Sequence, residues 1–290
     1  MSALEIVGVL NREDARVALA VRHELPAIAR AVDASVRAFR RGGRLIYVGA
    51  GTSGRLAVLD ASECPPTFGV STKMVQALIA GGERAIRQSV EGAEDSAVNG
   101  ARDLAAAKVT RRDVVVGIAA SGTTPYVLGA VGLARRRGAV TVGLTSNRHS
   151  PLARQSRIVI APDTGPEAVT GSTRLKAGTA QKMVLNLLST ASMARLGRIY
   201  ENWMIYVAQT NQKLRRRGAR ILKEAAGVSA SVATRTLRQS GHDLPAALVA
   251  LRSGVSVRVA RQALASSGGS VRLALDSIAA KRASKRSRQG

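Results

Sequence analysis

A chain of 290 residues, 46% hydrophobic but only 2% aromatic, can bury a large core of Ala, Val, Leu and Ile rather than rings, and fits one large domain plus a small one. Its longest apolar stretches are strand-sized and broken by Gly or charge, and Met1 leads into mixed sequence without an n-region and h-region. Neither a membrane span nor a secretory signal is therefore expected, and the protein reads as cytoplasmic. The lone Cys64 excludes an intramolecular disulfide framework, and His23, His149 and His242 lack metal-ligand spacing.

From about Val17 to Arg40 apolar residues recur at helical spacing, with a break expected near Pro26. The rhythm then changes. Strand-length apolar runs occur at Leu45 to Val48, Val75 to Ala80, Val114 to Ala119, Val140 to Thr145 and Ile158 to Ala161, and the first, third and fourth precede helical patterns. This alternation predicts an α/β fold, a parallel sheet flanked by helices on both faces, with ligands gathering beyond the carboxyl ends of the strands. After about Lys213 the pattern is all helical and repeats at an offset of 27, pairing Gly227 with Gly254, Leu237 with Leu264 and Gly241 with Gly268. The expected division is a sheet domain with N-terminal helices over 1–212, a small all-helical C-terminal domain of four short helices over 213–279, and a basic disordered tail over 280–290. The net charge is +25, the stretch from Lys213 onward carries 17 basic residues against 3 acidic, and the tail KRASKRSRQG from Lys281 is either a salt-sensitive contact for nucleic acid or anionic surfaces or simply a solvated end.

Three loops share a composition rich in Gly, Ser and Thr: GAGTSGR (Gly49 to Arg55), ASGTTPY (Ala120 to Tyr126) and TGSTRLKAGTAQK (Thr170 to Lys182), each followed by a helical pattern. Glycine lets backbone amides close around an anion, the hydroxyls donate further, and a helix start adds favourable partial charge. Ser and Thr also serve routinely as helix N-caps, but three such turns at one sheet edge favour a phosphorylated ligand. Gly49, Gly51 and Gly54 spell G-x-G-x-x-G, yet no acidic residue lies near Thr67 to Thr72 to hold a ribose, and Glu83 comes too late. Asp60 and Glu63, on the following helix and its exit, would also face a pyrophosphate, so a dinucleotide site is disfavoured.

The blocks GAGTSGRLAVLDASECPPTFGV, AGGERAIRQSVEGAEDS, DVVVGIAASGTTPYV and VTGSTRLKAGTAQKMVLNLLST together resemble the N-acetylmuramic acid 6-phosphate etherases of the SIS (sugar isomerase) fold superfamily, from Leu4 through the C-terminal helices. The resemblance implies cleavage of the lactyl ether of N-acetylmuramic acid 6-phosphate to N-acetylglucosamine 6-phosphate and D-lactate, in peptidoglycan sugar recycling. It further implies a homodimer needing no metal or organic cofactor, with a small sugar phosphate as the ligand. Two carboxyls suffice for such an elimination when their environments separate their protonation states. The resemblance places them at Glu63, the proton donor, and Glu94, the partner base. Taken by themselves, Glu63 is also a residue that ends a helix before Pro65 and Pro66, and Glu94 one of a solvated acidic run with Glu91 and Asp95. In the superfamily the loop matching ASGTTPY grips the phosphate, which points to Ser121, Thr123 and Thr124, with Thr52 and Ser53 next; Lys176 is either an added charge or an exposed helix lysine. Cys64 reads as a packed side chain rather than a nucleophile, since an ether elimination needs no thiolate.

Three departures from the family pattern stand out. About twenty residues usual before the position of Met1 are missing, Thr123 replaces an Arg usual beside the phosphate, and Tyr206 stands where an Asp is common. The rival readings are a non-catalytic sugar-phosphate sensor on the same fold, which intact Glu63 and Glu94 disfavour, and a transcription factor, for which the stretch before Leu45 leaves little room.

Overall fold

The computed structural model describes residues 1–207, 209 and 212–286, with side chains in the last helix described to Ser284. The chain divides into two compact units: Met1–Glu63 with Ser71–Ser192, and Cys64–Val70 with the residues from Met193 onward. The division falls inside a helix rather than at the composition shift near Lys213, because the residues flanking that shift share one apolar cluster.

In the first unit, α1 (Ala3–Asp14), α2 (Val17–His23) and α3 (Leu25–Arg40) precede five parallel strands: β1 (Leu45–Gly49), β2 (Val75–Ile79), β3 (Val114–Ile118), β4 (Val140–Leu144) and β5 (Ile158–Ile160). The sheet order is β2-β1-β3-β4-β5, with Leu45 in register with both Val75 and Val114. Every residue of β1 and β3 is buried, as strands covered on both faces require. Successive side chains alternate between faces. Ile46, Val48 and Val115 pack with Leu104 of α6 (Ala97–Ala106) and Val127 and Val131 of α7 (Pro125–Arg136), whereas Tyr47 faces α4 (Gly51–Phe68). The unit also holds α5 (Arg84–Arg87), α8 (Pro151–Gln155) and most of α9 (Lys176–Arg195).

Helices α6 and α7 approach through reciprocal glycines. A Cβ on Gly100 would lie 1.9 Å from the Tyr126 carbonyl oxygen, and one on Gly129 would lie 1.9 Å from that of Ala97. Gly129→Ala is accordingly expected to lose about 2–3 kcal/mol in urea unfolding, since backbone rather than a flexible side chain must yield; a native-like midpoint would show that the two helices can part freely.

In the second unit, α10 (Gln212–Ala226) precedes two copies of one design: α11 (Ala230–Gln239) with α12 (Leu244–Ser253), and α13 (Val257–Ser266) with α14 (Val271–Arg286). The repeat extends to the caps. Ser229 and Ser256 accept from the amides of Val232 and Val259, and Gly241 and Gly268 both sit at φ +60°. Ile205, Leu222, Leu237, Leu248, Leu264 and Val271 share its core. Tyr206 belongs there too, donating to the Gly269 carbonyl under the Arg198 guanidinium, 4.6 Å from the ring centroid. Contrary to the expected disorder from 280, α14 runs to Arg286, because Ala279 to Ser284 contain no helix breaker; positions 287–290 lie outside the described residues.

Candidate active site

The sheet order reverses between β1 and β3, so the crevice beyond their carboxyl ends is where such a fold leaves room for a ligand. Two of the three hydroxyl-rich loops open there. In the first, a Cβ on Gly49 would meet the Gly54 nitrogen at 2.7 Å, a Cβ on Gly54 would meet Ile79 at 2.5 Å, and Gly51 takes φ +51°. Each glycine is thus required by a tight strand-to-helix turn packed on β2. Thr52 and Ser53 are half-buried, and the Ser53 hydroxyl donates to Gln181 Oε1 (2.9 Å).

The second loop follows β3. Ser121 and Thr123 are exposed and share a hydroxyl hydrogen bond of 2.9 Å, and the Thr123 amide donates to Ser121 Oγ at 3.2 Å. Gly122 lies at φ +69° with its Cα against Ser150 and Thr145, where a Cβ would fall 2.2 Å from Ser150 Oγ. Helix α7 follows Thr124, an N-cap residue whose side chain caps no backbone amide; Pro125 has no N–H and the Tyr126 amide is taken by the Glu94 carbonyl, so it is the Thr124 hydroxyl rather than the first helical amides that is left for an anion.

Glu94 sits on the turn before α6, its carbonyl accepting from the Tyr126 amide (3.0 Å) and so tied to the first turn of α7. Its exposed side chain lines a cavity of about 200 Å³ formed by Ala50, Gly51, Arg55 and the segment from Gln88 to Asp95. Arg55 fixes the far wall: its Nε donates to the Ala85 and Ile86 carbonyls and its terminal nitrogen to that of Gln88. Ser89 donates to Glu91, which leaves Glu94 and Asp95 as the cavity carboxylates without that partner, and of the two it is Glu94 whose backbone is tied to α7.

Several expectations need correction. Glu63 does not end a helix: α4 continues through Pro65 and Pro66 to Phe68. Glu63 is exposed, does not line the Glu94 cavity, and lies about 18 Å along α4 from Gly51. One chain therefore does not bring the two glutamates together. Asp60 faces no ligand either; it is buried against the sheet and accepts from Tyr47 (2.9 Å), Asn186 (2.7 Å) and Ser189 (3.0 Å). Burial pushes its carboxyl above the usual value against the pull of those hydrogen bonds. The third loop offers no open helix start, because Glu167 accepts from the Lys176 and Ala177 amides (3.0 Å each). Lys176 is neither exposed nor a spare charge: it is 1% exposed, and its ammonium is paired with Glu13 of α1. Cys64 is buried, as a packed side chain would be.

One residue escaped the sequence reading. Gln181, 2% exposed on α9, meets Ser53 with its oxygen while its amide nitrogen has no partner. A buried orphan donor beside the first glycine turn is suited to a ligand oxygen. It stands inside the block Thr170 to Lys182, but nothing in that block set it apart from the residues around it.

These features define a class: a sugar isomerase (SIS) fold with a hydroxyl-lined crevice at its strand switch point. A SIS domain model matches residues 93–191, and the model of the glucokinase regulatory protein N-terminal SIS domain matches residues 27–135. Phosphoheptose isomerases from Neisseria gonorrhoeae and Francisella tularensis share the fold, with TM-scores of 0.51 and 0.50 at 15% and 18% identity, over 67% and 66% of this chain and 100% and 98% of theirs. N-acetylmuramic acid 6-phosphate etherases from Vibrio atlanticus and Serratia proteamaculans are each 52% identical, over 96% and 95% of this chain and 90% and 93% of theirs. The chain belongs to the N-acetylmuramic acid 6-phosphate etherase family.

Proposed function

We propose that the protein is a carbon–oxygen lyase that cleaves N-acetylmuramic acid 6-phosphate to N-acetylglucosamine 6-phosphate and D-lactate, in amino sugar recycling. The single observation carrying this reading is the 52% identity to etherases along nearly the whole chain. The crevice suits it. The phosphate rests on the hydroxyls of Ser121, Thr123 and Thr124 ahead of α7, and on Thr52 and Ser53 of the first turn with Gln181 of α9. With the sugar opened to its aldehyde, the C2 proton is acidic. A base removes it, the C3–oxygen bond breaks, and an acid protonates the departing lactate oxygen. Water then adds across the C2–C3 double bond, its hydroxyl to C3 and its proton to C2. Glu94 is the base and Glu63 the acid.

The protein acts as a cytoplasmic homodimer in this reading. Glu63 is too far from the Glu94 cavity of its own chain, but it shares the exposed side of α4 with Leu59, a large apolar side chain 52% exposed. A second copy packed on that face would carry its own Glu63 to the first copy's sugar. Incubation with N-acetylmuramic acid 6-phosphate should release D-lactate and N-acetylglucosamine 6-phosphate in equal amounts, read by a lactate dehydrogenase assay. Tight binding without lactate would instead identify a sensor.

A further inference from the structure

A second cavity, of about 640 Å³, lies at the opposite end of the sheet from the glycine turns. It is bounded by the end of α3 (Ala34, Arg37, Ala38) and its C-cap Arg41, by Arg111 and Arg112 in the turn entering β3, and by the first residues of β3 and β4, Val114 and Val140. Four arginines thus surround a floor of small apolar side chains. Among the described residues none of the four guanidiniums makes a hydrogen bond or ion pair. The one carboxylate in the wall, Asp113, is consumed elsewhere: it is a bidentate partner of Arg44 (3.2 and 2.9 Å) and also accepts from the Arg44 and Thr110 amides. Burial resists its ionisation, but those donors outweigh it and hold its carboxyl below the usual range.

The walls are firmly set. Gly43 packs so closely that a Cβ there would lie 2.1 Å from the Arg112 carbonyl oxygen, and the Arg112 amide donates to Thr110 Oγ1 (3.2 Å). Arg37 in the last turn of α3 and Arg41 at its C-cap are four residues apart, where like charges repel. The negative end of that helix explains a cation at either position; it does not explain two more arriving from another loop. Planar guanidiniums are forks for phosphate oxygens, and the volume suits a small molecule rather than a single ion.

We infer that this arginine cavity is a binding site for a small phosphorylated molecule of nucleotide size, its phosphates held by Arg37, Arg41, Arg111 and Arg112 and its body on Ala34, Ala38, Val114 and Val140. Titration calorimetry with ADP and with inorganic pyrophosphate, at about 0.15 M ionic strength, tests it. Both should bind, ADP more tightly. The paired variants Arg37→Gln/Arg41→Gln and Arg111→Gln/Arg112→Gln should each weaken ADP by about tenfold or more. Lactate release without ADP should stay native in both, which also verifies their folding. The inference is overturned if neither probe binds, if both paired variants bind ADP as the native protein does, or if a single-stranded oligonucleotide binds the same arginines more tightly than ADP, making the cavity part of a nucleic-acid surface.

Discussion

Glu94→Gln is expected to slow D-lactate release by about 10²–10⁴-fold while leaving KM close to native. The substitution keeps side-chain shape and removes only the ability to take a proton. Its backbone should not move, because the Glu94 carbonyl is held by the Tyr126 amide and the segment before it is clasped by Arg55. Glu91 and Asp95 line the same cavity and are the natural rivals. Glu91 already accepts from Ser89, so Glu91→Gln should cost far less than Glu94→Gln. Near-native turnover in Glu94→Gln would remove that residue from the chemistry and return the turn to an ordinary approach to α6.

A comparable loss is expected for Glu63→Gln, and mixing the two inactive proteins should recover activity. If each site takes Glu94 from one copy and Glu63 from the other, a mixed dimer holds one site with both substitutions and one site with neither. Random re-association of equal amounts then restores about a quarter of the native sites. If both carboxyls came from one chain, no mixture would contain an intact site. The recovered rate, measured after subunit exchange and against either variant alone, therefore separates a shared site from a self-contained one. A fully active Glu63→Gln would dismiss the residue altogether.

The sheet was legible because its strands are short apolar runs closed by glycine or polar residues, and the structure ends each within one or two residues of those stops. The two loops after β1 and β3 were legible for a related reason: their glycines answer to local geometry, φ +51° at Gly51 and φ +69° at Gly122. What the sequence hid were partnerships over long separations. Lys176 meets Glu13 from the first helix, Asp60 is enclosed by Asn186 and Ser189, and Gln181 reaches Ser53; no local pattern announces such pairs. The run through Pro65 and Pro66 misled in the other direction. Proline usually stops a helix by removing a donor and crowding the previous turn, but here α4 runs on to Phe68, and the Gly69 amide still donates to the Pro65 carbonyl (2.9 Å).

The turn at Gly122 is clamped from both sides: its amide donates to the Ala119 carbonyl and its own carbonyl accepts from Leu152, each at 3.0 Å, while Thr145 and Ser146 fasten the neighbouring Ala120 carbonyl. Its freedom is surrendered once, when the chain folds, and would not be surrendered again on binding the phosphoryl group proposed for this turn. In the proposed reaction an incoming sugar would thus meet a rigid receptacle, and the attraction gained there would be left over for straining the bond to be broken.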